Sequence, residues 1–139
     1  MRKTSDSPEV LVSDVMTSQV RTASPHQGLR AIWTLLADEH CHHVPIVDDG
    51  RPVGMISARD LVRVARRHGA DRVQEALDIG KTAGEIMSTE LVTIRSDESI
   101  DVAIDRIGRG DIHALIVLDH DQKLVGIVTH RDLLHFLMS

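Results

Sequence analysis

The chain contains an internal duplication, and this feature limits its possible folds more than any other. Residues 15–17, Val-Met-Thr, return as residues 86–88, Ile-Met-Ser, at a spacing of 71. Residues 53–61 align with residues 125–133 at a spacing of 72, so one copy has an extra residue in an intervening turn. A unit that occurs only twice is not a solenoid, because solenoids need three or more stacked units. The duplication predicts two similar halves that face each other, with any site they form occurring twice.

The length and composition exclude several classes of protein. The chain has 139 residues, and a repeat of roughly 55 residues would be marginally stable alone, so the copies should bury their apolar faces against each other. The 16 basic residues against 21 acidic ones argue against a nucleic-acid partner, since phosphate backbones demand a concentrated basic surface. With one Trp, one Phe and no Tyr, a platform for base stacking is also not expected.

The cysteine count and the N-terminal residues favour a cytoplasmic protein. Cys41 is the single cysteine and cannot form a disulfide within the chain, which suits a reducing compartment. Residues 1–8 carry positive charge, but no apolar core follows them. Neither a signal peptide nor a membrane span is therefore predicted.

Both copies show the same order of predicted elements. Apolar residues at i, i+3, i+4 and i+7 predict one amphipathic helix in each copy. These stripes are Leu29, Ile32, Trp33 and Leu36 in the first copy and Ile100, Ala103, Ile104 and Ile107 in the second. The predicted paired strands are residues 44–47 and 52–56, and residues 114–118 and 124–128. With a short opening strand and closing helices from Ala58 and His130, the class is α/β, as two β-α-β-β-α repeats.

The predicted boundaries divide the chain into four segments. A frayed tail covers residues 1–9, the first copy covers residues 10–68 and the second covers residues 83–139. Between them, residues 69–82 form a linker in which the repeat pattern lapses and glycines recur. One helical turn is predicted inside it, near residues 73–77.

Several motifs recur in both copies with matched order and spacing. They are residues 14–17 and 85–88 at the openings, residues 43–48 in the middle, and residues 54–60 and 126–132 at the ends. On these motifs the chain resembles a tandem pair of cystathionine-β-synthase (CBS) domains, an arrangement called a Bateman module. The resemblance covers about residues 10–138. Each motif alone is weak, but together they are specific.

The resemblance implies a fold and a function. Members pack two such repeats about a pseudo-two-fold axis, leave two clefts between the copies, and commonly dimerise into a flat disc. Those clefts typically hold AMP, ADP, ATP or S-adenosylmethionine, and Mg²⁺ can accompany ATP. The implied role is sensing without catalysis, with a regulated partner protein as the receiver of the signal. The alternative is a structural dimerisation or docking module with unoccupied clefts. An enzyme is not predicted, because no pair of nucleophile and base recurs.

A hydroxyl and a carboxylate recur three residues apart where a strand meets a helix. Ser57 precedes Asp60 in the first copy, and Thr129 precedes Asp132 in the second. The first N–H groups of a helix lack internal partners and favour an anion such as phosphate. By resemblance, the hydroxyl residue contacts phosphate and the Asp accepts hydrogen bonds from the ribose. The alternative is a helix capping box, which has the same spacing.

Side chains beside this motif are further candidates. Arg59 and Arg131 would pair with phosphate oxygens, or lie solvated on the first helical turn. Met55 and Ile127 would offer apolar surface to adenine, or simply pack in the core. Neighbouring glycines would allow a close approach of the backbone at the strand.

Histidines in the middle of each copy form a second candidate set. His42 and His43 align with His113 and Ala114, and by resemblance this position reaches phosphate. The second copy lacks a basic residue at Ala114, so the two clefts should differ in phosphate affinity. If imidazoles contact phosphate, binding should strengthen as pH falls, because imidazole gains its charge near about pH 6.5. The alternative is a half-buried strand histidine.

The opening strands supply the last candidates. By resemblance, Thr22 and Thr93 lie where backbone amides hold adenine, although β-branched residues also suit a strand without a ligand. The full set of predicted nucleotide-binding residues is Thr22, His42, His43, Met55, Ser57, Arg59, Asp60, Thr93, His113, Ile127, Thr129, His130, Arg131 and Asp132.

Two other clusters of polar side chains are weaker candidates for a site. Residues 40–43, His-Cys-His-His, invite a zinc site, but adjacent ligands on a strand point to opposite faces and no second cluster completes the coordination. Cys41 is read as an ordinary buried small residue. Residues 63–72 hold four arginines and a histidine, read as a solvated helix end or a partner surface.

Overall fold

The computed structural model describes residues 9–38, 41–78, 81–110 and 112–139. It confirms the α/β class and the two repeats of strands and helices. In chain order, the elements are α1 (Val12–Val15), α2 (Leu29–Leu36), β1 (His43–Asp48), β2 (Arg51–Ser57), α3 (Ala58–His68), a 3₁₀ turn (Ala70–Arg72), α4 (Val73–Asp78), α5 (Ala83–Ile86), β3 (Thr93–Arg95), α6 (Ile100–Gly108), β4 (Ala114–Leu118), β5 (Leu124–Thr129) and α7 (His130–Leu137).

The chain forms two compact units, and each unit exchanges its opening segment with the other copy of the sequence. Unit 1 joins the chain up to Gln19 to Val92–Ser139, and unit 2 is Val20–Leu91. Helix α1 therefore belongs with the second copy and α5 with the first. These two helices of four residues each were not predicted, because four residues are too few to show a helical period.

Unit 2 is built on the antiparallel hairpin of β1 and β2, whose register pairs His43 with Ser57. The predicted turn between the strands holds Asp49 and Gly50, with φ of 54° and 80°. Two successive positive φ values are typical of the tight turns that match strand twist. The buried core around the hairpin consists of Ala23, Ile32, Cys41, Val44, Ile46, Ile56, Leu61 and Ala83.

The opening strand predicted at Thr22 is wrong. Thr22 is exposed and lies outside any strand, and only Ala23 makes a bridge, to Ile46. In the second copy, Ile116 donates its N–H to the carbonyl of Val92 at 3.0 Å. The first copy has Pro45 at the matching position, and proline has no N–H to donate. The missing donor explains why the first copy lacks this strand.

Unit 1 contains a three-stranded sheet in the order β3-β4-β5, with β3 parallel to β4 and β4 antiparallel to β5. Here the opening strand forms, and Thr93 pairs with Ile116. The buried core consists of Val12, Ile94, Ile100, Ala103, Leu115, Val117, Val128 and Leu133.

The predicted helices are confirmed, with one departure in packing. Leu29 and Ile32 of α2 are fully buried, but Trp33 is 40% exposed, so the stripe of α2 is only partly covered. The single turn predicted in the linker is α4, which a 3₁₀ turn precedes. Across the described residues, no helix has the length and apolar character that crossing a membrane requires.

Candidate functional site

The candidate site is the junction where a strand passes directly into a helix, and it occurs once in each unit. In the first junction β2 ends at Ser57, which is the N-cap of α3. In the second junction β5 ends at Thr129, which is the N-cap of α7. Both residues have extended backbone and a hydroxyl, which is the usual choice at an N-cap because the oxygen accepts an orphan helical N–H.

In the first junction the side chain of Asp60 folds back onto Ser57. Oδ2 of Asp60 accepts hydrogen bonds from the N–H of Ser57 at 2.7 Å and from its hydroxyl at 3.1 Å. The N–H of Asp60 lies 3.4 Å from the Ser57 hydroxyl oxygen, to which it donates. The other oxygen, Oδ1, lies 3.5 Å from the guanidinium of Arg63, whose side chain is 63% exposed.

In the second junction Asp132 makes the same contacts and one different contact. Oδ2 accepts from the N–H of Thr129 at 2.9 Å and from its hydroxyl at 3.2 Å. Oδ1 accepts a hydrogen bond from the hydroxyl of Thr17 at 3.0 Å. Thr17 comes from the opening segment of the first copy, so this contact exists only because the segment belongs to unit 1.

Both junctions therefore form the capping box that the sequence left open as an alternative. The box uses only Oδ2 of each carboxylate, and Oδ1 faces other groups. A carboxylate oxygen has two lone pairs, so Oδ1 of Asp60 and of Asp132 can accept a further hydrogen bond. Capping and ribose recognition are thus compatible, and the ribose role remains a prediction.

The opening segments press against the strands at two glycines. A Cβ on Gly54 would overlap the side chain of Met87, with Cγ at 2.6 Å. A Cβ on Gly126 would lie 2.5 Å from Sδ of Met16 and 2.9 Å from the carbonyl oxygen of Thr17. The close approach predicted for these glycines is confirmed, and the atoms that approach are those of the exchanged segment.

The two adenine candidates sit on the same strands. Met55 is half-buried, and Ile127 is only 7% exposed, which fits core packing for Ile127. Their backbones pair with the opening segments, Met55 with Ser88 and Ile127 with Thr17, each through two hydrogen bonds of 2.9 Å. Strand and opening segment are thereby held edge to edge.

The predicted basic groups lie around the junctions on the surface. Arg59, Arg131 and His130 are exposed on the first helical turns. Exposed His42 is brought to the first junction, because its carbonyl accepts the N–H of Ala58 at 3.3 Å. The remaining histidines are His43, half-buried and paired with Ser57, and exposed His113, which precedes the residue paired with Thr129. Thr22 and Thr93 are both exposed. Among the described residues, no hydrogen bond or ion pair joins either threonine to a junction.

A charged cleft of about 290 Å³ starts at Asp60 and follows α3. Its lining residues are Asp60, Arg63, Val64, Arg67, His68, Lys81, Glu85 and Ile86. Neither Lys81, at the end of the predicted linker, nor Glu85, the first residue of the opening motif 85–88, was among the predicted binding residues. The backbone N–H and the hydroxyl of Thr82 both donate to the carboxylate of Glu85. These hydrogen bonds, the backbone one first, lower the pKa of that carboxyl.

An apolar groove of about 230 Å³ lies elsewhere on unit 2. Its wall includes Trp33, Leu36, Leu61 and Val62, and Val62 is 67% exposed. Among the described residues that line it, none carries a charged side chain, so these residues offer no charge to orient a phosphate or a ribose.

The cysteine is buried, in accord with its interpretation as a core residue. Cys41 is 9% exposed, and burial raises the pKa of its thiol. Its Sγ donates to the carbonyl of His43 at 3.8 Å. Of the histidines considered for zinc, His40 lies outside the described residues. Among the residues the structure describes, no three metal-binding side chains come together.

Comparison with known proteins bears on this geometry. The CBS domain family model matches residues 12–67 and 83–139. The CBS domain-containing protein YhcV of Bacillus subtilis is 33% identical over 123 residues, covering 88% of this chain and 81% of that protein. Protein MJ1232 of Methanocaldococcus jannaschii is 30% identical over 130 residues, covering 94% of this chain but 40% of that protein. This chain thus spans less than half the length of that relative.

A solved structure has a similar fold. The CBS domain pair of protein MJ0100, determined in complex with 5′-methylthioadenosine and S-adenosyl-L-methionine, matches with a TM-score of 0.72 and 28% identity. The match covers 94% of this chain and 98% of that chain. The resemblance inferred from the repeated motifs is confirmed.

Proposed function

This chain belongs to the CBS domain family, and we propose that it is a non-catalytic regulatory module that binds an adenosine-containing ligand. The observation that carries the proposal is the duplicated junction, in which Asp60 and Asp132 each keep Oδ1 outside the capping box. A ribose diol supplies two hydroxyl donors, and an ionised carboxylate is their natural acceptor.

The ligand class follows from the solved relative. The MJ0100 domain pair holds two ligands that share an adenosine group, 5′-methylthioadenosine and S-adenosyl-L-methionine. Because adenosine is common to both, recognition through the ribose and the adenine is the economical reading for this chain as well. AMP, ADP, ATP and S-adenosylmethionine are all candidates, and Mg²⁺ would accompany ATP.

The other predicted residues have complementary roles in the proposal. Ser57 and Thr129 would turn their hydroxyls from Asp60 and Asp132 to a phosphate. The exposed arginines Arg59 and Arg131 add positive charge. The histidines around the junctions are His42, His43, His113 and His130. Met55 and Ile127 provide apolar surface for adenine, and Thr22 and Thr93 mark the openings of the two copies.

Calorimetry and thermal unfolding test the proposal. A ligand that binds only the folded state raises the melting temperature by mass action, so at least one of AMP, ADP, ATP and S-adenosylmethionine should stabilise the wild type. Asp60→Ala and Asp132→Ala should each weaken binding of that ligand at its own junction by about tenfold or more, since hydrogen bonds to a charged group contribute about 1.5–3 kcal/mol.

A matched control separates lost binding from lost capping. Oδ1 of Asp119 accepts the N–H groups of Asp121 at 2.8 Å and Lys123 at 3.0 Å, at the opposite end of the β4–β5 hairpin from Thr129. Asp119→Ala should cost about 1 kcal/mol and leave ligand affinity unchanged. If the Asp60→Ala, Asp132→Ala double variant bound AMP and ATP as tightly as the wild type, the proposal would be wrong.

We also propose that the module forms a homodimer in the cytoplasm. Large apolar side chains are exposed on α2, α3 and α7 and at the C-terminus, namely Trp33, Val62, Leu134, Leu137 and Met138. Exposed apolar surface of this kind is typical of protein interfaces. The exposed apolar side chains of each unit also support the second candidate function, a docking module whose ligand sites stay empty.

Sedimentation separates these assemblies. Val62→Glu and Leu134→Glu place charges on exposed positions that need not disturb either core, and they should convert a dimer into a monomer. A wild type that sediments as a monomer at all concentrations would contradict the homodimer. A dimer that no adenosine compound stabilises would favour the docking module over the sensor.

A further inference from the structure

The charged cleft along α3 has the composition of a site for a phosphorylated ligand. One wall carries Arg63, Arg67 and His68 on successive turns of α3, and Lys81 faces them from the segment before α5. Arg63 and Arg67 are one helical turn apart, about 6 Å along the axis. Cations at this spacing can contact neighbouring phosphates of one chain.

The carboxylates of the cleft leave part of this positive charge uncompensated. Asp60 is within 3.5 Å of Arg63, and Glu85, held ionised by Thr82, interacts through space with Lys81. None of the ion pairs found among the described residues includes Arg67 or His68. His68 donates from Nδ1 to the carbonyl of Val64 at 3.0 Å, which fixes the ring at the edge of the cleft.

We propose that this cleft holds the phosphates beyond the first in a nucleotide whose ribose is bound by Asp60 and whose first phosphate lies at Ser57. The inference rests on the proposed function, because Asp60 is both the ribose acceptor and the first residue of the cleft. The cleft volume of about 290 Å³ fits a small ligand group, and is at the lower end of ordinary small-molecule pockets. Nucleotides with longer phosphate chains should therefore bind the first junction more tightly than AMP.

The second junction lacks these cations. Aligned at the spacing of 72, Arg63 corresponds to His135 and Arg67 to Ser139. The second junction should therefore distinguish little between AMP and ATP, and the selectivity for chain length belongs to unit 2.

The first test uses inorganic tripolyphosphate, which has no ribose and so does not depend on the proposed function. Calorimetry should show saturable binding to the wild type, at least tenfold weaker in Arg67→Ala/Lys81→Ala. Arg66→Ala is the matched control, since Arg66 is exposed on the same helical turn but does not line the cleft. Absence of binding to the wild type, or an equal loss in Arg66→Ala, would overturn the proposal.

The second test compares ATP with AMP in an Asp132→Ala background, which leaves the first junction as the nucleotide site. ATP should bind at least tenfold more tightly than AMP, and Arg67→Ala/Lys81→Ala should bring that ratio close to one by weakening ATP much more than AMP. A ratio near one before the cations are removed would overturn the proposal but leave the adenosine site intact. If AMP binding were instead insensitive to Asp60→Ala, the proposed function would fail while tripolyphosphate binding still identified an anion site.

Discussion

The two junctions share a capping box but differ in the group that meets the outer carboxylate oxygen. In unit 2, Oδ1 of Asp60 faces the guanidinium of Arg63 at 3.5 Å. In unit 1, Oδ1 of Asp132 accepts a neutral hydroxyl, that of Thr17, at 3.0 Å. Ser88, the counterpart of Thr17, instead accepts the N–H of Glu90 at 3.4 Å through its hydroxyl oxygen.

This difference shows how a duplicated site diverges without losing its central motif. The capping box is specified by residues that are close in sequence, so both copies keep it. The partner of Oδ1 comes from a different part of the chain in each unit, and nothing requires those partners to match. As a result, the first junction adjoins the charged cleft along α3, and the second adjoins the neutral hydroxyl of Thr17. The cleft gives the two junctions a second reason to differ in phosphate affinity, besides His43 in one copy and Ala114 in the other.

The largest expected effect comes from the glycines that contact the exchanged segments. Gly126→Ala and Gly54→Ala should each lower the free energy of unfolding by about 1–3 kcal/mol, as overpacking does. Gly126→Ala should cost more, because its Cβ would meet the backbone carbonyl of Thr17 at 2.9 Å, whereas the three atoms nearest to a Cβ at Gly54 all belong to the side chain of Met87. Urea denaturation measures both.

Double variants sharpen this comparison. Met87→Ala should largely relieve Gly54→Ala, because it removes Sδ and Cγ, two of the atoms that overlap. Met16→Ala should relieve Gly126→Ala only in part, since the carbonyl of Thr17 stays in place. Equal relief in the two units would mean that the exchanged segments pack alike.

A smaller effect is expected from the hydroxyl at the second junction. Thr17→Val removes the hydrogen bond to Asp132, and should lower the free energy of unfolding by about 0.5–1.5 kcal/mol. Ser88→Ala is the matched change in unit 2 and should have less effect, because its bond to Glu90 is long, at 3.4 Å. Thermal unfolding of the two variants decides this, and a larger loss in Ser88→Ala would contradict the assignment.

The smallest effect is expected for the cation at the first junction. Arg63→Ala breaks an exposed ion pair, and such pairs contribute about 0–1 kcal/mol. Stability in urea should change by no more than that, and the difference from the wild type should shrink as salt is added, because salt screens exposed charges. A loss comparable with that of Gly126→Ala would show that Arg63 supports the fold and is not merely a neighbour of Asp60.

Local features of this fold could be predicted from the sequence, and long-range ones could not. The hairpins, the helix starts at Ser57 and Thr129, and the Asp49-Gly50 turn follow from residues within a few positions of one another. The exchange of opening segments does not, because a repeated motif shows what each copy contains but not which copy it packs on. That exchange placed Thr17 beside Asp132 and Glu85 in the cleft.

The wrong expectation of a strand at Thr22 also has a local cause in the sequence. The strand expected at Thr22 requires the residue at position 45 to donate an N–H, as Ile116 does in the other copy. Pro45 has none. The ribose role of the two carboxylates could not be predicted in the same way. The capping geometry of a junction without ligand is the same whether the Asp only caps the helix or also binds ribose.

The most direct measurement of the central claim is a calorimetric cycle between ligand and protein, using AMP and 2′-deoxy-AMP on the wild type and on the Asp60→Ala, Asp132→Ala double variant. If the carboxylates bind the ribose diol, loss of the 2′-hydroxyl weakens binding to the wild type by about tenfold, consistent with a hydrogen bond to a charged group, and has no effect on the variant. An equal penalty for the deoxy ligand in both proteins would show that Asp60 and Asp132 do not contact the ribose.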